Sequence, residues 1–210
     1  MSPHPPLAPH SPAEGPPLLG EPLALEFINT HYAVRGCLRD GLAGTRELAW
    51  WLWACRERFA TAPSEGDLAR IAPSDVACFQ QLRDAARSLI EAQVLGQAPD
   101  PRDVAQLNRA GGLGRSWPVL IWEPGCRPQS VLTGGGGPLL ECQAELAHEV
   151  VRLMTSPHLE VKPCLAPGCV LYFERTPPRR AWCSPGCGNR ARAARHYSRH
   201  HRGPAPSDRP

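Results

Sequence analysis

The sequence predicts a mainly α protein, in which a helical N-terminal domain with one small β-hairpin is followed by a small four-cysteine zinc finger ending in a basic helix. Three observations predict it. Apolar residues recur at helical spacing, as in Leu48, Trp51, Leu52, Cys55 and Phe59, which fall at i, i+3, i+4, i+7 and i+11. The period changes only over Trp117–Trp122 and Gln129–Thr133, two short β-type runs around a Pro-Gly-containing turn. Four of the nine cysteines then fall within 24 residues and lead into an Ala/Arg-rich stretch free of proline until Pro204.

Residues 1–18 and 203–210 are too rich in proline and too poor in large apolar groups to pack, so both are expected to be disordered. The domain (19–157) opens on a short helix carrying Leu23, Leu25, Phe27 and Ile28. Thr45 can cap a second helix, the one with the stripe above; Trp50 and Trp53 fall beside it. A third begins at Ser74-Asp75, with Val76, Phe79, Leu82, Ala86, Leu89 and Ile90 inward. Asp100-Pro101 is a cap with proline at the first helical position, opening a helix that runs through Asn108 and stops at Gly111-Gly112. Pro118 argues that the first strand of the hairpin lies at an edge or begins after it. Gly134–Gly137 follows a strand and precedes a helix but lacks the lysine and hydroxyl residue of a phosphate loop, so it reads as a flexible linker. The last helix of the domain runs from Leu139 to Thr155 with Leu139, Cys142, Leu146, Val150 and Leu153 on one face. Ser156-Pro157 is a short connection, which predicts that the finger (158–202) docks on the helical body.

The cysteines follow the spacing C-x4-C-x13-C-x3-C: Cys164, Cys169, Cys183 and Cys187. Each pair encloses a Pro-Gly step, Pro167-Gly168 and Pro185-Gly186, of the kind that bends a chain so that two sulfurs face one ion. Four thiolates close a tetrahedral structural Zn²⁺ site with no open position for chemistry. Two disulfides, or four cysteines that merely pack, are the competing interpretation, but an odd cysteine count and an N-terminus without a basic start and apolar run do not fit a disulfide-stapled secreted domain. Cys37, Cys55, Cys78, Cys126 and Cys142 have no metal spacing and read mostly as small apolar residues in a reducing cytoplasm. No run approaches the roughly 20 apolar residues of a membrane span.

A helix is expected from about Gly188 to Arg202. On it Arg192, Arg195, Arg199 and Arg202 share one narrow face, with Arg190, Ala193, Ala194 and Tyr197 on roughly the opposite, packed side. Arg190 is then expected to hold carbonyl oxygens of the zinc turns, and Asn189 to cap the first amides of the helix. Residues 161–203 carry nine Lys or Arg against one acid, a formal +8 in a chain of net +3, so the remainder is −5. Bound zinc with four thiolates lowers the finger to near +6. A positive module on an acidic body suits a polyanion, and the phosphates of DNA are the natural match for Arg192, Arg195, Arg199 and Arg202.

The string Trp182-Cys183-x-x-x-Cys187-Gly-Asn-Arg190, preceded by a C-x4-C turn and the aromatic pair Tyr172-Phe173, resembles the CGNR zinc finger family. Leu23-Ala-Leu-Glu-Phe-Ile-Asn-Thr30, Thr45–Leu52 and Leu107-Asn108 resemble the ABATE domain that precedes this finger in the family, so the likeness covers about residues 18–202. Here Ala181 separates the basic pair Arg179-Arg180 from Trp182, and the loop at 176–180 is shortened. The resemblance implies a stress-responsive transcription regulator. With the cost of polar groups placed beside an apolar stripe, it also implies that the body binds a small-molecule effector, or a second copy of itself as a homodimer, near Glu26, Asn29 and Trp51. The competing functions are a protein-interaction finger and an enzyme with the finger as accessory. No nucleophile, catalytic metal motif or cofactor loop supports the enzyme.

Overall fold

The computed structural model describes residues 15–113, 116–121, 127–134, 136–176 and 178–201. Helix α1 (Leu23–Ile28) is short but wholly buried, every one of its six residues included. It leads into a hairpin of β1 (His31–Val34) and β2 (Cys37–Asp40), which sequence periodicity did not reveal. The Val34↔Cys37 pair encloses Arg35 and Gly36 at φ 52 and 81, the positive values a two-residue hairpin turn demands. Helix α2 (Thr45–Ala54) follows, with Gly44 at its N-cap and Thr45 as its first residue.

Helix α3 (Glu65–Leu68) is a second element not anticipated. Its capping box was visible as Ser64-x-x-Asp67: Ser64 Oγ accepts from Asp67 N–H, and the Asp67 carboxylate accepts from Ser64 N–H. Helix α4 (Pro73–Leu95) is 23 residues long and ends at Gly96, φ 65, a left-handed C-cap. Helix α5 (Pro101–Gly111) starts with Asp100 accepting from Arg102 N–H. The hairpin β3 (Ser116–Ile121) and β4 (Gln129–Gly134) pairs Ser116 with Gly134, so the glycine run begins as strand. Trp122 and Cys126 lie outside the described residues. Helix α6 (Pro138–Thr155) packs on α1, α4 and α5.

The core gathers the predicted stripes. Trp51 is fully buried, its ring centroid 5.4 Å from Phe27 and 6.3 Å from Phe59, and Phe27 meets Phe79 at 6.4 Å edge to face. Cys55 and Cys142 are buried within it. Residues 15–18 depart from the disorder expected of residues 1–18. Pro16 is buried, and a Cβ on Gly15 would lie 2.6 Å from the Trp50 ring, so the chain already runs along the body there. Residues 1–14 and 202–210 lie outside the described residues, Arg202 among them.

Strands β5 (Val161–Pro163) and β6 (Tyr172–Glu174) pair antiparallel, and helix α7 (Pro185–His201) closes the fold. The two cores interlock. Tyr172 of β6 belongs to the body's cluster, whereas Tyr32 of β1 and half-buried Leu19 pack among the zinc-turn cysteines with Leu171 and Phe173. Among the described residues no helix is long and apolar enough to cross a membrane.

Candidate metal centre and nucleic-acid interface

The four sulfurs of Cys164, Cys169, Cys183 and Cys187 all lie within 4.8 Å of one another. Cys169 and Cys183 are 3.8 Å apart and Cys183 and Cys187 3.4 Å, where Zn–S bonds of about 2.3 Å in a tetrahedron require sulfurs about 3.8 Å apart. Cys164, Cys183 and Cys187 are buried and Cys169 is half-buried. Hydrogen bonds from Cys169 and Cys183 hold the Cys164 thiol well below its ordinary value. The contact with Cys164 pushes Cys169 up to about 11, and contacts with Cys164 and Cys169 push Cys183 higher still. Four sulfurs this close cannot all ionise unaided. A divalent cation supplies the missing charge, and the donor set is that of a closed structural Zn²⁺ site.

The two cysteine pairs are built differently, which corrects the expectation of matched turns. In the first, Cys169 N–H donates to Ala166 C=O at 2.9 Å with Pro167 and Gly168 between them, and Gly168 sits at φ 71. That is a turn with proline second and glycine third. In the second, Pro185 and Gly186 are the first residues of α7. Ser184 caps that helix, its Oγ accepting from Cys187 N–H at 3.2 Å and its C=O from Gly188 N–H at 3.1 Å. Cys187 therefore ligates from the first turn of a 17-residue helix, whose positive end faces the anionic thiolates.

This placement revises three expectations. Asn189 does not cap the helix, which begins four residues earlier; its Oδ1 accepts from Arg192. Arg190 is exposed, and it donates to Cys187 Sγ at 3.1 Å, not to a carbonyl. Such a bond disperses charge from a thiolate ligand. The packed face of α7 is also rotated from the one expected. Cys187 must aim at the metal, so Ala191 and Ala194 at i+4 and i+7 face inward with it, while Ala193 and Tyr197 are exposed. By the helical repeat, Arg195, Arg199 and Arg192 lie about 40°, 80° and 100° from Ala191. All three are exposed on one flank beside the packed face, not opposite it.

The flank borders a groove of about 740 Å³ lined by Leu165, Pro167, Trp182, Ala191, Arg195 and Arg199. Trp182 also lines a second concavity of about 620 Å³ with Leu18, Leu19, Arg179 and Arg180.

Arg180, at which the sequence hinted only through the family's basic pair, ties the finger to the body. It donates to the carbonyls of Cys183 at 2.7 Å, Glu174 at 3.1 Å and Trp182 at 3.2 Å, and lies 4.9 Å over the Phe173 ring. It also pairs with buried Glu21, whose other carboxylate oxygen accepts from Glu174 N–H at 2.9 Å. Arg87 of α4 acts likewise, donating to Val170 C=O at 2.6 Å and Ile28 C=O at 3.2 Å. Neither Glu21 nor Arg87 carried a sequence signal, because each is defined by residues distant in the chain.

Of the three residues expected to hold an effector, Glu26 and Asn29 already have partners in the chain. The Glu26 carboxylate accepts from Glu21 N–H at 2.8 Å and Leu19 N–H at 2.9 Å, with Arg58 3.9 Å away. Burial pushes its pKa up, opposed by those backbone donors and by Arg58. Asn29 is fully buried and bonded twice to the Tyr172 backbone, at 2.8 and 2.9 Å. The premise of unpartnered polar groups therefore fails for both. Trp51 Nε1 is buried and has no hydrogen-bond partner among the described residues.

Two known families match the chain in succession. The family ABATE, described as "Putative stress-induced transcription regulator", matches residues 21–157, and the CGNR zinc finger matches residues 160–200. No curated protein matches the chain. With a buried helical body and a four-cysteine centre that coincide with these two matches, the chain belongs to the ABATE family and carries a CGNR zinc finger after that domain.

Proposed function

We propose that the protein regulates transcription by binding DNA through the exposed flank of α7. One observation carries this: a single helix whose rotation is set by a metal ligand presents Arg192, Arg195 and Arg199 together on its exposed side. Arginine forks suit phosphate oxygens. The body's part is to fix the pose of the finger through Arg180–Glu21 and Asn29–Tyr172, so that the arginines meet the polyanion preorganised.

Binding of duplex DNA by the zinc-loaded protein across a salt series tests it. With Arg202 counted, four phosphate contacts give a log–log slope of about −3.6, and Arg195→Ala lowers the slope by roughly one unit without changing the melt. Absence of binding at low salt, or a slope indifferent to Arg195→Ala, overturns the proposal.

A second function, effector sensing by the body, is favoured by one fact. Trp51 Nε1 and Gln143 Nε2 are buried donors without a hydrogen-bond partner among the described residues, and such donors cost free energy until something accepts from them. Thermal-shift screening of metabolites bearing carbonyl or carboxylate groups, with Trp51→Phe as control, tests it: a shift that survives Trp51→Phe rejects the assignment.

A further inference from the structure

Trp182 stands between two basic concavities and is only half-buried. On one side it shares the 740 Å³ groove with Arg195 and Arg199, over an apolar floor that includes Leu165 and Ala191. On the other it shares the 620 Å³ concavity with Arg179 and Arg180. Arg180 is committed to Glu21 and the carbonyls of the zinc turn, so exposed Arg179 is the cation available there. The ring is held firmly. Cys183, the next residue, is a metal ligand, Arg180 donates to the carbonyl of Trp182 itself at 3.2 Å, and the indole fits against Gly188, where a Cβ would come within 2.9 Å of Cδ1.

A preoriented aromatic ring with cations on both sides and an apolar floor is more than phosphate binding needs. Arginines alone serve a duplex backbone, whose bases are paired and stacked and offer an indole no π-face. An unpaired nucleotide offers that face together with a phosphate on each side of the base. Stacking on aromatic side chains combined with a basic groove is the general chemistry by which single strands are held. An acidic peptide would also answer the arginines, but it makes no use of a flat aromatic ring between them.

Resting on the DNA-binding function proposed for this finger, we propose that Trp182 is the stacking platform for an unpaired base and that the two grooves beside it form one track for single-stranded DNA. Arg195 and Arg199 take phosphates on one side of the base and Arg179 on the other. The finger then engages melted or distorted DNA in preference to regular duplex.

The test uses the full zinc-loaded chain and a labelled thymidine oligonucleotide of about twelve residues, set against an abasic phosphodiester of equal length and a duplex with the same number of phosphates. The expected result is that the abasic strand binds about fivefold or more weakly than the thymidine strand, from the worth of one or more stacked bases. Trp182→Leu should bring the thymidine strand to the abasic level and leave the abasic affinity unchanged, while Trp182→Phe keeps most of the difference. If Trp182→Leu releases zinc, the wild-type comparison of thymidine with abasic strand and the Trp182→Phe variant decide. Equal affinity for thymidine and abasic strands overturns the stacking platform but leaves phosphate binding by α7 standing. So does a duplex that binds more tightly than the thymidine strand. An acidic apolar peptide whose binding depends on Trp182, where the strands' binding does not, assigns the groove to a protein partner. Failure of all three nucleic acids to bind at low salt rejects the DNA-binding function itself.

Discussion

The side-chain amide of Asn29 pairs with the backbone of Tyr172 as a neighbouring strand would. Its Nδ2 donates to Tyr172 C=O at 2.8 Å and its Oδ1 accepts from Tyr172 N–H at 2.9 Å, across 143 residues of chain. This places the finger's Tyr172 in the body's core, with Arg87 5.1 Å over its ring. Asn29→Ala leaves two backbone groups buried without partners and is expected to cost about 2–4 kcal/mol. Asn29→Asp keeps the acceptor but buries a carboxylate against Tyr172 C=O, so it should be no more stable than Asn29→Ala at neutral pH. Urea denaturation of the zinc-loaded proteins measures both, and an Asn29→Ala protein as stable as wild type would show that water replaces the side chain.

Zinc should be present at one ion per chain by elemental analysis, and Cys164→Ser should lose it. Because Tyr32 and Leu19 of the body pack among the zinc cysteines, a chelator should loosen the body as well as the finger. In a Trp182→Phe background, where every remaining tryptophan lies in the body, a drop in melting temperature accompanied by a change in tryptophan emission would report this. An unchanged emission spectrum would mean that the two cores hold independently.

Arg190→Ala should retain the fold and weaken zinc binding by about tenfold or more, the usual cost of losing a hydrogen bond to a ligand atom. The bond in question is Arg190 Nη2 to Cys187 Sγ at 3.1 Å. Competition with a chromogenic chelator reads it. Arg179→Ala, at an exposed side chain, is the control and should compete like wild type.

Thiol labelling of the zinc-loaded native protein should modify Cys37 and Cys78, which are exposed, and spare Cys55 and Cys142. Burial pushes both of the latter up to about 12, so their thiolate is scarce as well as shielded. Mass spectrometry after a short pulse of alkylating agent checks the order.

Arg83 of α4 is buried and donates to both Asp40 oxygens, which ties the β1–β2 hairpin to the core. Burial works against the Asp40 carboxylate, but the hydrogen bonds from Arg83 and Leu42 N–H, with the charges of Arg83 and His31, outweigh it and hold its pKa below the ordinary value. An acid depressed in this way contributes stability above its unfolded pKa of about 3.9 and loses it as pH falls through the folded value. Melting temperatures from pH 5 down to about pH 3 should therefore fall further for wild type than for Asp40→Asn. Zinc loss in acid affects both proteins, so the difference between them is the quantity to follow.

Features that depend on short-range pattern were legible in the chain before it folded. Leu48, Trp51 and Leu52 marked α2, although that helix stops at Ala54, and Cys55 and Phe59 reach the core from the two ends of the short 3-10 turn Arg56–Arg58, not from one helical stripe. The Asp100-Pro101 start marked α5, and the cysteine spacing with Pro167-Gly168 marked the metal centre, because a helix face, a cap and a turn are each defined within a few residues. The β1–β2 hairpin and α3 were also written locally, in Arg35-Gly36 and Ser64-x-x-Asp67, though in signals weaker than periodicity. The rotation of α7 was settled by long-range packing instead. A charge stripe has no preferred partner by itself, whereas Cys187 must reach the metal, and that single constraint turns Ala191 inward and brings Arg195 to the edge of a groove. Packing likewise settled that Asn29 serves the joint between body and finger and that Glu26 holds the backbone of the 19–21 segment. A polar residue on a buried helix can face a ligand or a distant stretch of backbone equally well, and only the folded chain brings Leu19 and Tyr172 within hydrogen-bonding reach.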